Sequence, residues 1–565
     1  MRNARVFKNL EPTMIWNPHR NHAQLPYVFS IVKPICAMAA LLTFAMAEAQ
    51  PAPMPADFVQ KAEAHIDAYA KAGRFTGSIL IAKDGKVVLR KSYGFADYST
   101  HRPMTPETPV PIFSVSKSFT AGAILLLQEK GLLSVNDKAS KYVNDLPTAW
   151  KDITIHQLLT HTSGISLADQ ITWAAKHFGS AFRKAADGDQ PKASKPGSKF
   201  EYSNVGYMLL GVIVAKVSGK PYDTFIDEAI FKPLGMTGAG AGGHWEGQNQ
   251  VARGHTVYGG QLVPFDQRLS IITGAGDLHG NVDDLLKWRT AIDNPGLFSE
   301  ESRKALHSSF VAVDNERNYS YGWFYHTQWP YWEHTGGGAG CETSLQWFPE
   351  RGVTIVILKN CDASAASLIS IDEELAAMAY ARPPSPPKFE RLDVLDRYQG
   401  VYRTPKFGDI VVSVAGDTVM LYGLGSEPKA MDWVDGRQYE YEGCLFEFEP
   451  RPDGLFNLRI TPQDKDPRLA TRVVPAAPLT EYTGVFGEAG GQKIELRGLW
   501  LTIGFIDDSI DPDPFLVALL PSGKDRFLVP SFGVEFVFIR DKKGKITSIN
   551  TLVKGKVANV SPKRS

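Results

Sequence analysis

An amphipathic stretch from about Asp57 to Ala72 predicts a helix, and the apolar triplets Ile79-Leu80-Ile81 and Val87-Val88-Leu89 that follow it flank Asp84-Gly85. Apolar runs on either side of such a turn predict a β-hairpin. The middle of the chain is mainly helical in pattern. Strand patterns return at Tyr321-Gly322-Trp323-Phe324, Thr343-Ser344-Leu345-Gln346-Trp347-Phe348 and Val353-Thr354-Ile355-Val356-Ile357-Leu358, and a further helix is expected over about Ala365–Ala381. Strands from both ends with helices between them predict an α/β (α+β) unit over about residues 52–381, an antiparallel sheet flanked by helices and carrying a helical insertion.

Pro383, Pro384, Pro386 and Pro387 then interrupt the pattern. Proline continues neither a helix nor a central strand, so residues 382–389 read as an extended linker. Beyond it short strand and turn patterns dominate. Leu395, Tyr398, Gly400, Val401 and Tyr402 recur as Leu479, Tyr482, Gly484, Val485 and Phe486, each 84 residues on. A repeat of that length, rich in short strands, is large enough for a small β-barrel. Two tandem barrel-like domains are therefore expected, over about 390–475 and 476–562, with Pro475 and Pro478 marking the boundary.

At 565 residues the chain exceeds what one hydrophobic core fills, which agrees with several domains. Its 43% hydrophobic and 22% charged residues exclude a disordered or fibrous class. Lys+Arg and Asp+Glu both total 61, a balance that argues against nucleic acid or an anionic membrane as the main partner. In the first fifty residues Arg20 and Lys33 precede an apolar run from Ile35 to Ala47, followed by small residues and Gln50-Pro51-Ala52-Pro53. This is a signal-peptide pattern, residues 1–49, with cleavage expected near residue 49 and an uncleaved membrane anchor as the alternative. The run is short for a bilayer, so no integral membrane domain is expected after cleavage, and the mature protein is expected in the periplasm or secreted. Cys36 leaves with that segment, while Cys341, Cys361 and Cys444 remain. Cys341 and Cys361 flank a hairpin turning at Pro349-Glu350-Arg351-Gly352, so a disulfide between them and a pair of buried thiols both stay open.

Candidate chemistry begins at Ser114-Val115-Ser116-Lys117, an S-x-x-K pattern that also occurs at Ser426 and Lys429. Context separates the two. Ser114 opens an apolar run through Phe119, Ile124 and Leu127, whereas Pro428 interrupts the second match. On a helix, residues three apart share a face, so the Lys117 amine can reach the Ser114 hydroxyl, and the helix N-terminus favours negative charge developing there. Burial or a neighbouring cation would lower the lysine pKa enough for it to take the serine proton. Tyr202-Ser203-Asn204 precedes a second helical run and supplies a phenol to relay a proton and an amide to hold a substrate amide. The similar Tyr142-Val143-Asn144 follows the serine too closely, in a surface-like stretch. His334-Thr335-Gly336-Gly337-Gly338 is expected on an edge strand of the sheet, where glycines admit a substrate backbone and the N–H near Gly337 joins that of Ser114 as an oxyanion hole. His156 and His161 read as structural, packed beneath the site. No paired Cys/His spacing or phosphate-cradling glycine motif appears, so neither metal nor cofactor is expected.

In this order and spacing, S-x-x-K, Y-x-N and H-T-G resemble the serine β-lactamase and penicillin-binding family. Pro111-Ile112-Phe113 and the stretch Thr154 to Ile165 are similar to segments of its β-lactamase-related branch. The resemblance covers roughly residues 60–380 and implies a β-lactamase/transpeptidase-like fold. It also implies Ser114 as acylated nucleophile, Lys117 and Tyr202 as the proton-transfer pair, Asn204 as substrate ligand, and His334, Gly336 and Gly337 lining the substrate. Lysine usually stands where this chain has His334. Histidine there resembles the D-aminopeptidases and some esterases of the family, and two appended lipocalin-like barrels resemble D-aminopeptidase organisation. The expectation is thus an acyl-enzyme hydrolase of D-amino-acid amides or short peptides, with carboxylic esters second and β-lactams third. A slowly acylating or non-catalytic sensor of cell-wall peptides is the alternative of another class. Small-molecule or short-peptide substrates are the expected partners, with a homodimer left open.

Overall fold

A computed structural model describes residues 54–165, 194–241, 250–258, 261–265, 273–338, 340–361, 368–382, 392–404, 408–415, 418–422, 429–462, 466–475, 477–486, 492–497, 500–505, 517–529, 534–553 and 555–563. The expected signal segment, most of the proline-rich linker and Ser426 lie outside these residues. Among the described residues no helix is long and apolar enough to cross a membrane.

The apolar hairpin predicted around Asp84-Gly85 forms from strands Gly77–Lys83 and Lys86–Tyr93. It joins the far end of the α/β unit: Gly77 pairs with Lys359 and Lys83 with Val353, in antiparallel register. The resulting eight-stranded sheet runs, in spatial order, Val311–Ala312, Arg317–Tyr319, Phe324–His326, Tyr331–Gly338, Cys341–Phe348, Val353–Lys359, Gly77–Lys83, Lys86–Tyr93. Every residue of Val353–Lys359 is buried, because helices cover both faces of the sheet there. One face packs Ile79, Ile81, Ile355 and Ile357 against Phe58 and Ile66 of helix Phe58–Lys71 and Leu375 of helix Leu368–Ala379. The other packs Leu80, Val356 and Leu358 against the helical layer built around Ser116–Glu129, Asn204–Ser218 and Val282–Asp293.

One local expectation changes, and one left open is decided. Tyr321-Gly322-Trp323 is a bend, and the strand starts only at Phe324. The cause is close packing: Gly322 has φ +78°, and a Cβ on it would lie 2.7 Å from Ser118 Cα of the serine helix. Cys341 and Cys361 are both buried thiols, not joined by a disulfide.

Beyond the linker a short helix, Leu392–Tyr398, leads into a nine-stranded sheet. Its two outermost strands, Lys429–Ala430 and Asp432–Asp435, are separated in sequence by Met431 alone. One residue spans under about 7 Å between its neighbours' Cα atoms, so the sheet must curl until its ends meet, which makes it a barrel. A helical turn, Leu479–Tyr482, then leads into an eight-stranded meander from Gly484–Phe486 to Lys556–Pro562. The repeat occupies matching places: Tyr398 and Tyr482 are both fully buried at the ends of their helical segments, two residues before Gly400 and Gly484, where a strand begins in each. The two sheets meet through Val401, Val411 and Leu520.

Candidate active site

Ser114 sits in a tight turn, Phe113–Val115, that runs into the helix Ser116–Glu129. Phe113 holds φ +44°, a left-handed conformation that costs a non-glycine residue about 1–3 kcal/mol and persists only where packing enforces it. Here Phe113 is wedged beneath Gly338, on which a Cβ would lie 1.9 Å from the ring.

Lys117 is fully buried, and its Nζ lies 2.9 Å from Ser114 Oγ, 2.8 Å from Asn204 Oδ1 and 2.7 Å from Ala275 O. Burial holds its pKa well below the usual lysine range. The amine also stands over the Tyr202 ring, 4.9 Å from its centroid. Tyr202 is 39% exposed, yet its hydroxyl is hydrogen-bonded to Ser114, and desolvation pushes that phenol well above its usual pKa. Asn204 begins the helix Asn204–Ser218, whose first turn is capped by Ser203 Oγ accepting the Gly206 N–H at 2.9 Å. The cap leaves Asn204 exposed at the mouth of the site.

His161 backs this wall. Its Nδ1 accepts the Ser203 N–H at 3.0 Å, and its ring lies 4.3 Å from that of Tyr202. His156 is further out, bonded through Nδ1 to Tyr321 Oη at 2.7 Å. Both support their surroundings, as expected.

The glycine strand Tyr331–Gly338 is not an outermost strand, contrary to expectation: Phe324–His326 pairs with its first half. That neighbour is three residues long and reaches only Tyr331 to Glu333, so from His334 onward the strand has a local open edge. Gly336 presses on the serine turn, where a Cβ would lie 2.2 Å from Ile112 O and 3.0 Å from Ser114 N. A Cβ on Gly337 would meet nothing within 4 Å. The strand therefore lies on the serine turn at one glycine and opens to the cleft at the next.

His334 departs from its implied place against substrate. It is 1% exposed; Nδ1 donates to Thr335 O at 2.6 Å and Nε2 takes the Tyr319 hydroxyl at 3.3 Å, the tautomer following from those partners. Burial and the nearby Lys117 lower its pKa to about 4, so the ring is neutral.

Sequence reasoning missed Ala275, whose carbonyl is a Lys117 partner. The loop that carries it is pinned by Thr120 Oγ1 donating to Gly274 O at 2.7 Å and by Asp277 Oδ1 accepting the Gly274 N–H at 2.9 Å. A backbone carbonyl has no residue-type signature; the run Thr273-Gly274-Ala275-Gly276-Asp277 was the one available signal.

A serine hydroxyl held by a buried lysine, between an antiparallel sheet and a helical layer, makes up the candidate active site. The family profile described as Beta-lactamase matches residues 60–378, and the chain belongs to that family. It is 31% identical over 311 residues to the protein PbpX of Bacillus subtilis (strain 168), covering 55% of this chain and 76% of that one. Penicillin-binding protein 4* of the same organism is 27% identical over 365 residues, covering 58% and 79%. The octameric penicillin-binding protein homologue from Pyrococcus abyssi superposes with a TM-score of 0.52 at 29% identity, covering 73% of this chain and 100% of that one.

Proposed function

We propose that this protein is an exported acyl-enzyme hydrolase in which Ser114 attacks an amide carbonyl, Lys117 is the base and Tyr202 delivers the proton to the leaving amine. The observation that carries the reading is the Lys117 contact set. Two of its partners, Asn204 Oδ1 and Ala275 O, can only accept, so a neutral amine gives its two N–H groups to them and aims its lone pair at Ser114 Oγ. Lys117 is pushed toward the neutral form while Tyr202 is pushed toward the protonated one. Opposed shifts of this kind assign base and acid.

In the first step the Ser114 proton passes to Lys117 as Oγ bonds to the carbonyl carbon. The oxyanion takes the N–H groups of Ser114 and Gly337. Collapse expels the amine, which takes a proton from Tyr202 as Lys117 returns one to the phenol; water then attacks the ester, giving a proton to Lys117, which passes it to Ser114 Oγ as the acyl product leaves. Asn204 Nδ2, directed away from Lys117, is available to a substrate carbonyl.

D-amino-acid amides and short peptides rank first as substrates, esters second and β-lactams third. Neutral, buried His334 supplies no positive charge for a carboxylate of the kind that the usual lysine would hold, which supports uncharged amide and ester ends; its own part is to position the strand. The same reading has residues 1–49 removed on export, and residues 52–381, 390–475 and 476–562 as catalytic and two barrel domains. The octameric state of the Pyrococcus abyssi homologue supports self-association.

A panel of chromogenic D-amino-acid anilides, p-nitrophenyl esters and a chromogenic cephalosporin, run against wild type and Ser114→Ala, tests the proposal. Turnover of the anilides should exceed the rest and fall at least about a thousandfold in the variant. Equal turnover by the variant would remove Ser114 from the mechanism.

A further inference from the structure

A β-hairpin, Gly254–Tyr258 paired with Gln261–Phe265, rises from the catalytic unit and ends on the first barrel. At its base the His255 backbone N–H is shared between Gly340 O at 2.9 Å and Asn360 O at 3.0 Å. The His255 side chain is fully buried. Its Nε2 accepts the Tyr98 N–H at 3.2 Å, which puts the ring proton on Nδ1, and Nδ1 donates to Asn360 O at 3.2 Å. Asn360 Nδ2 in turn donates to Arg253 O and Phe95 O, each at 3.0 Å. Gly340 closes the joint: its φ is +73°, and a Cβ on it would lie 2.4 Å from His255 N. The base of the hairpin is thus locked to the chain on both sides of the hairpin that turns at residues 349–352, at Gly340 before strand Cys341–Phe348 and at Asn360 after strand Val353–Lys359.

At the other end Leu262 is partly buried against the barrel cluster that contains Leu395, Tyr398 and Phe448, and its strand contacts the helix Leu392–Tyr398. Gly340 stands two residues beyond Gly338, which rests on Phe113, while Gly336 rests on Ser114. Apolar packing at the tip of the hairpin and backbone hydrogen bonds at its base therefore link the barrel core to Gly340, two residues along the chain from the glycine that rests on Phe113.

We infer that the first barrel braces the active site: docking of Leu262 holds Gly336–Gly338 against the serine turn through His255 and Gly340. Leu262 and His255 are then positioning residues. Neither touches the reacting atoms; each acts by fixing the strand that supplies the Gly337 N–H. The kinetic part of the inference rests on the function proposed above, whereas the mechanical part does not.

The test uses the full chain with Leu262→Ser and Leu262→Met, reading amide hydrogen exchange across 336–340, kcat and KM on the best anilide, and Tm. Displacing a catalytic wall by about 1 Å can cost on the order of a hundredfold in rate. Leu262→Ser should speed exchange at 336–340, leave exchange in helix Asn204–Ser218 unchanged and lower kcat/KM by about 10- to 100-fold. Leu262→Met should restore all three readings. A lowered Tm with unchanged exchange at 336–340 and unchanged kcat and KM would overturn the brace and leave Leu262 a packing residue. Should Leu262→Ser not yield folded protein, Leu262→Ala is read against the same outcomes. If wild type shows no Ser114-dependent turnover, the proposed function fails, and hydrogen exchange alone decides the brace.

Discussion

Lys117 meets one hydroxyl and two carbonyl oxygens, and that inventory separates its two protonation states. Protonated, it can only donate to all three; neutral, it can accept the serine proton. Since burial lowers its pKa, kcat/KM should rise from acid pH and level off well below the usual lysine range. A profile flat from pH 5 to 9 would count against Lys117 as base. Lys117→Arg keeps the charge but cannot deprotonate, so kcat/KM should drop by about 10²–10⁴ with an unchanged circular dichroism spectrum. Asp277 gives a stability prediction of its own. Burial raises its carboxyl from 3.8 to about 6, so the folded state favours the protonated form. That contribution is full below the unfolded pKa and is lost as pH rises through about 6. Asp277→Asn keeps an acceptor for the Gly274 N–H and carries no charge. It should therefore raise stability at pH 8 by up to about 3 kcal/mol, and by much less at pH 4, in denaturant titrations at both pH values. A gain independent of pH would show that the ionised carboxylate carries no penalty.

Among elements, the glycine strand and the serine turn act as one unit. Gly336→Ala drives a methyl group into Ile112 O and the Ser114 N–H, so it should cost about 1–3 kcal/mol and most of the activity. Gly337→Ala, with open space at its Cβ, should change stability by no more than about 0.5 kcal/mol. Thermal melts of the two variants check the contrast; equal losses would mean that the strand does not lie on the turn as described. The amphipathic helix and the Ser114 helix were legible in the sequence because their apolar positions extend over several turns, and the hairpin because its two apolar triplets flank the turn signal Asp84-Gly85. Strands such as Val311–Ala312, Arg317–Tyr319 and Phe324–His326 were not, since two or three residues carry no period. Their brevity is also why His334 begins a local edge in what would otherwise be an interior strand. Ser114, Lys117, Tyr202 and Asn204 came from residue types at fixed spacing. Ala275 did not, because it contributes only a carbonyl. The orientation of His334 depends on Tyr319, a residue with no motif to mark it.

For the molecule as a whole, each sheet beyond the linker has its own buried cluster, around Tyr398 and Phe448 in the barrel and around Tyr482 and Phe538 in the meander. The catalytic unit has two more, one on each face of its sheet. Units with separate cores and small shared surfaces melt separately. Scanning calorimetry should therefore resolve more than one transition, and a single transition obeying the two-state criterion would indicate tighter coupling than the Val401–Leu520 contact suggests. The 84-residue repeat was readable because it preserves a buried tyrosine and a following glycine; the closure of the first barrel was not, since it depends on which strands become neighbours.

That closure also decides how the purified protein should behave when concentrated. With its outermost strands joined through Met431, the nine-stranded sheet offers little unpaired backbone to a passing chain. The last strand, Lys556–Pro562, is the outer strand of its sheet and turns Val557 and Val560 to solvent at 57% and 55% exposure. Colloidal self-adhesion should therefore begin at the carboxyl-terminal strand, and Val557→Lys should delay the onset of light scattering on concentration without touching hydrolysis.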